Sequence, residues 1–152
     1  MGTTLLITLN REVDGIKPND VDKGFLAKIV ADSDAMDALA RQLGTVSLSD
    51  FQSYSPENVA DLIDNSLDGD LRQTLTAVHV EWFDPATALT AVRALQRHYP
   101  SARYIQKRGK RVNGSWEDVD RTEELLGELA HTEAVLTAAA RGGARFRFHV
   151  GF

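Results

Sequence analysis

At the C-terminus Phe146, Phe148, Val150 and Phe152 alternate with Arg145, Arg147, His149 and Gly151. A period of two places all four apolar side chains on one side of a strand. Such a strand needs another strand for its backbone and a cover for its apolar face. The N-terminal segment offers both, because Leu5, Ile7 and Leu9 alternate with Leu6, Thr8 and Asn10. The simplest arrangement pairs the two ends of the chain in one small sheet and lays helices over its apolar side. Residues 4–9 and 145–151 are therefore expected as strands, with Ile7, Phe146, Phe148 and Val150 buried.

Between the ends the signals are mostly helical. A helix is expected over 21–43, with an apolar stripe of Phe25, Ile29, Met36, Leu39, Ala40 and Leu43. Asp32-Ser33-Asp34 interrupts that stripe, so the helix should bend or restart there under an Asp32 or Ser33 cap, and Gly44 should stop it. Residues 47–51 read as a short helical turn or a loop. Ser55-Pro56-Glu57 starts another helix, and 71–80 fits helix or strand equally well. Asp84-Pro85 opens a helix whose face is Leu89, Val92, Leu95, Gln96 and Tyr99. Ser115-Trp116-Glu117-Asp118 reads as the start of the last helix, with Ser115 as its cap and acids in its first turn. Its expected stripe is Val119, Leu126, Leu129, Leu136 and Ala140, ending at Gly142-Gly143. The expected fold class is α+β, predominantly helical, with a small sheet from the terminal strands. A length of 152 residues fits a single domain over 1–152 that buries its core without a metal or disulfide staple.

Complete chemical motifs are lacking. With no cysteine, thiolate metal sites and thiol nucleophiles are excluded, and a reducing cytoplasm is the natural setting. No apolar run approaches membrane-spanning length, and no export signal is visible at the N-terminus. Asp64-Asn65-Ser66-Leu67-Asp68-Gly69 has the oxygen donors and glycine of a calcium loop. Its twelfth position is Leu75, where a bidentate Glu is needed, so the segment reads as an acidic helix end. His79-Val80-Glu81 is half of a zinc-deaminase signature whose cysteine half is missing. The four histidines never stand three or four residues apart, and no serine elbow or phosphate loop is complete. The Asp61/Asp64 and Glu124/Glu128 pairs at helical spacing read as solvated helix faces. One ring of the Trp82-Phe83 pair reads as capping the core beside a helix start, and Trp116 reads the same way at the next. No catalytic residue, metal or cofactor is therefore assigned, and the balance leans away from an enzyme.

Charge gives one local signal. Residues 1–80 carry a net −7 and residues 81–152 a net +2, within an overall −5. No acid stands between Pro85 and Trp116, a stretch that holds seven Arg and Lys side chains and His98. Arg103, Lys107, Arg108, Lys110 and Arg111, with Tyr104 among them, form the candidate binding site. Residues 101–114 are expected as an exposed, mobile connection between the last two helices. The acidic half of the chain, an acidic protein partner or nucleic acid would each compensate its cations. The acidic whole disfavours nucleic acid.

The layout of both ends resembles a family of bacterial proteins carrying a YfbM-like domain of unknown function. The likeness lies in Met1-Gly2 leading into the first strand, the Asp84-Pro85 helix behind an aromatic pair, and the last helix running through Gly142-Gly143 into the final strand. The resemblance implies a bacterial cytoplasmic protein at most and carries no catalytic residues; small acidic bacterial proteins of this kind are sometimes suspected of an immunity role. The expected function is a non-enzymatic protein-binding module, with nucleic-acid or phosphate-ligand binding through 103–111 as the alternative, and an enzyme of unrecognised type after that.

Overall fold

The computed structural model describes residues 3–16, 23–54 and 80–151. The helix expected at Ser55-Pro56, the calcium-like loop at 64–69, the stretch 71–79 and His79 lie outside the described residues.

Strand β1 (Thr4–Leu9) pairs antiparallel with β4 (Phe146–Gly151), with Ile7 opposite Phe148 and Leu5 opposite Val150. Leu5, Ile7, Phe146 and Phe148 are fully buried and Val150 nearly so, as the alternation requires. The far edge of β4 is also occupied. Ser53 N–H donates to Phe148 O, and Phe83 exchanges both backbone hydrogen bonds with Phe146. The second face of β4 is not left to solvent, either. Arg147 is buried, donating to Ser53 O at 2.8 Å and lying over the Trp82 ring, while His149 meets Tyr54 edge-on.

The helices form where local chemistry starts and stops them. The 21–43 pattern divides into α1 (Gly24–Ala31) and α2 (Ser33–Leu43), with Asp32 Oδ1 accepting Ala35 N–H at the restart. Gly44 ends α2 in the left-handed conformation, φ 69°. A single 3₁₀ turn, Leu48–Phe51, follows. Helix α3 (Pro85–His98) starts on Asp84, whose Oδ1 accepts Ala86 N–H. Helix α4 (Thr122–Arg141) packs along α3, and α1 lies across α4 and the sheet. One core results. Phe51 touches Phe83, Phe146 and Phe148 at its centre, so Phe83 does cap the core beside the α3 start.

Several expectations fail here. In α1 the buried face is Leu26, Ala27 and Val30, with Phe25 and Ile29 only at its margin. The last helix begins at Thr122 rather than at Ser115, and Val119 is not part of it. Its buried face is Leu125, Leu129, Val135, Leu136 and Ala139, while Ala140 is exposed. Glu128 is buried rather than solvated. Its Oε1 accepts the N–H groups of both Phe25 and Leu26 at 3.1 Å. A carboxylate at that place satisfies two orphan donors in the first turn of α1 and sits at the positive end of its dipole.

The segment before α4 forms a second sheet that the sequence reading did not anticipate. Strand β2 (Ile105–Val112) and strand β3 (Ser115–Asp120) make an antiparallel hairpin. Among the described residues the molecule thus has four helices and two small antiparallel sheets, an α+β fold. No helix among them is long and apolar enough to cross a membrane.

Candidate functional site

The basic segment forms one strand of an arm rather than a loop. Asn113 and Gly114 both take positive φ, 50° and 85°, which is the backbone of a two-residue type I′ hairpin turn. Val112 and Ser115 close the turn as a cross-strand pair. Lower down, the register slips. Gln106 faces Val119 and Lys110 faces Glu117, so residues 107–109 stand opposite Asp118 alone. Arg108 takes φ 53° in this bulge and donates its N–H to Asp118 Oδ1. Gly109 then passes so close to β3 that a Cβ there would lie 2.9 Å from Val119 Cγ2. A side chain at that position would run into the Val119 and Gln106 side chains, so glycine fits there without displacing them.

The arm packs mainly on itself. No residue of β2 or β3 is buried, and neither strand packs extensively against another element. Its base is tied down. Arg121 N–H donates to Tyr104 O, Tyr104 N–H donates to Thr122 Oγ1, and Arg121 Nε donates to Gln106 Oε1.

The compensating acids come from β3, and not from the acidic first half of the chain. Arg103 Nε donates to Asp120 Oδ2 at 2.8 Å, and Lys107 Nζ to Asp118 Oδ2 at 3.2 Å. The Asp120 carboxyl is held down to about 2, first by the hydroxyl and backbone N–H of Thr122 and then by Arg103. The Asp118 carboxyl is lowered by the Arg108 backbone N–H and by Lys107. Of the five candidate residues, Arg103 and Lys107 are therefore spent in holding the arm together. Arg108, Lys110 and Arg111 enter none of the ion pairs among the described residues. All five side chains are exposed.

The register also sorts the arm into two faces. Side chains directly opposite each other share a face, and along β3 they alternate. Ile105, Arg111, Trp116, Asp118 and Asp120 therefore lie on one face, and Gln106, Val112, Ser115, Glu117 and Val119 on the other. Gln106, Val112 and Val119 are half-buried. The first face is open, with Trp116 59% and Ile105 41% exposed. Trp116 is thus no cap on the core. It is the most exposed large apolar side chain among the described residues, directly across from Arg111.

Trp116 and Ile105 were missed as site residues. The signal that could have found them is Asn113-Gly114 followed by Trp116 and Val119, with bases before the turn and acids after it. Among the described residues no group of three or more His, Asp and Glu gathers as a metal site would require. No family model matches this chain, and neither a curated protein nor a solved structure is similar to it.

Proposed function

We propose that this protein is a non-enzymatic protein-binding module that docks an acidic partner surface through the open face of the β2–β3 arm. The observation that carries the reading is the exposed Trp116, with Ile105 on the same face and Arg111 opposite. Binding hot spots are enriched in tryptophan and arginine, and an exposed aromatic flanked by unspent cations is such an anchor. The arm between Arg103 and Asp120 holds five bases and three acids, a net +2 on a chain of net −5. A partner carrying carboxylates around an apolar pocket would take up Arg111 and cover Trp116, while Lys110, opposite Glu117 in the register, lies on the other face. A bacterial cytoplasmic setting and an immunity-like role are the narrower form of this proposal.

Selection of displayed peptides on the immobilised protein tests it. Acidic sequences containing an apolar anchor should be enriched. Their binding, measured by calorimetry, should be lost in both Trp116→Ala and Arg111→Glu. Enrichment without regard to charge, or binding indifferent to both substitutions, rejects the reading.

The second reading is nucleic acid, favoured by the same Trp116, which offers a stacking surface beside Arg111. Against it, Glu117, Asp118 and Asp120 line the same arm and repel a phosphate backbone. A generic single-stranded oligonucleotide should show no binding at low salt. Binding that weakens steeply with salt would favour this reading instead.

A further inference from the structure

The turn at the tip of the arm sets a side-chain amide beside an unshielded backbone nitrogen. Asn113-Gly114 is the one Asn-Gly step in the chain; the other four asparagines precede Arg11, Asp20, Val59 and Ser66. The type I′ turn accounts for the choice of both residues, since each takes positive φ. The same choice has a chemical consequence. Asn113 and Gly114 are exposed, and among the described residues no hydrogen bond within the protein ties down the Asn113 side-chain amide. Nothing lies within 4 Å of where a Gly114 Cβ would stand, and Gly114 is outside the strand ladder, which closes on Val112 and Ser115. The arm that carries this turn has no buried residue, and a two-stranded hairpin is marginally stable in water. Local opening therefore frees the Gly114 nitrogen to approach the Asn113 side chain.

We propose that Asn113 is a modification site, deamidated without an enzyme through a succinimide ring closed by Gly114. Asparagine is among the thermolabile residues, and with no side chain on Gly114 nothing hinders the attack. The Gly114 amide gives its proton to water or hydroxide, and its nitrogen bonds to Asn113 Cγ. The Cγ–Nδ2 bond breaks, and the side-chain nitrogen leaves as ammonia. Water then opens the ring at either carbonyl. One opening restores the ordinary main chain with an aspartate side chain. The other breaks the original peptide C–N bond and leaves an isoaspartyl linkage, in which the chain runs through the former side chain. Water consumed and ammonia released balance the step, and nothing is oxidised or reduced. Both products place a carboxylate at the tip, which takes the stretch from Arg103 to Asp120 from net +2 to net +1. The ordinary product suits the turn, since Asp-Gly also forms type I′. The isoaspartyl product adds a backbone methylene, so Val112 and Ser115 no longer meet in register. In an arm held by pairing, that change opens the tip.

Incubation of the full chain at mildly alkaline pH, followed by peptide mapping, tests the proposal. The peptide holding Asn113 should gain the mass of an amide-to-acid exchange and split into two products, while the other four asparagines stay intact. The rate should rise with pH, because the attacking nitrogen must lose its proton. The same chain unfolded in urea sets the reference, and the folded chain should react within severalfold of it. Asn113→Gly keeps a type I′ turn, as Gly-Gly does, and should abolish the mass gain. Asn113→Asp carries the charge alone and should keep the Val112–Ser115 cross-strand NOEs, which the purified isoaspartyl fraction should lose. The proposal fails if Asn113 stays intact in the folded chain, if the other asparagines react as fast, or if the isoaspartyl fraction retains those NOEs. No partner enters these measurements, so this site and the docking of the arm stand or fall separately.

Discussion

Glu128 illustrates how one side chain can hold two elements together. It lies on α4, but its carboxylate closes the start of α1, about a hundred residues earlier in the chain. Glu128→Ala would strand the Phe25 and Leu26 N–H groups, at about 1–3 kcal/mol for each buried donor left unpaired. Glu128→Gln keeps an acceptor and should cost distinctly less. Urea denaturation of the two variants checks this ordering, and equal losses would show that the charge and not the hydrogen bonds matters. Asp120 acts at a similar joint, between the arm and α4. Its carboxyl is depressed to about 2, and the largest causes are the two bonds from Thr122. A carboxyl lowered in the folded state stabilises it above the ordinary carboxylate range, and that contribution is lost as pH falls through about 2. The base of the arm should therefore stay closed on acidification past the titration of ordinary carboxylates. In Thr122→Val, the NMR titration midpoint of Asp120 should rise toward the ordinary value. An unmoved midpoint would assign the shift to the Thr122 backbone N–H and Arg103 instead of the hydroxyl.

At the scale of the element, the arm is held by pairing and not by burial. Its strands have no buried residue, so cross-strand contacts, the type I′ turn and the bulge at 107–109 must keep it formed. Gly109→Ala tests this dependence. The added methyl would meet Val119 Cγ2 at 2.9 Å and Gln106 Oε1 at 3.0 Å, both side-chain atoms that must shift to admit it. Cross-strand NOEs between Gln106 and Val119 should disappear, and Trp116 fluorescence should shift. The thermal midpoint of the whole protein should barely change. A large drop in that midpoint would mean that the arm is part of the main cooperative unit.

For the whole molecule, the same division predicts that the arm can be removed. Tyr104 and Arg121 are already joined at the base by a backbone hydrogen bond, as the ends of a turn would be. Replacing residues 105–120 with a short Asn-Gly turn should leave the β1–β4 sheet and its helices folded, with near-unchanged methyl spectra for Leu5, Ile7 and Val150. Loss of those signals would show that the arm supports the core. The core itself was largely legible in the sequence. Alternation at 4–9 and 145–151 marked the sheet, Asp32, Gly44 and Asp84-Pro85 marked helix ends, and one ring of Trp82-Phe83 was read as a core cap. Each of these features has one side facing a common apolar interior, so burial writes a period or a cap into the sequence.

Where burial does not act, the sequence was misleading. Residues 105–120 carry no apolar alternation, because the arm has no buried side. Ser115 followed by Glu117 and Asp118 then imitated a helix start, while the real one, at Thr122 behind Arg121, with Asp120 Oδ1 accepting Thr122 N–H, lay just beyond it. The sequence by itself determined that the chain would close its two ends into a sheet beneath helices, since hydrophobic periodicity is a local record of which side meets the core. Only the tertiary structure decided that the cations would be answered by β3, that Trp116 would face outward, and that Glu128 would cap a distant helix. These are relations between residues far apart or across a register, and no pattern within one segment encodes which partner a side chain will meet.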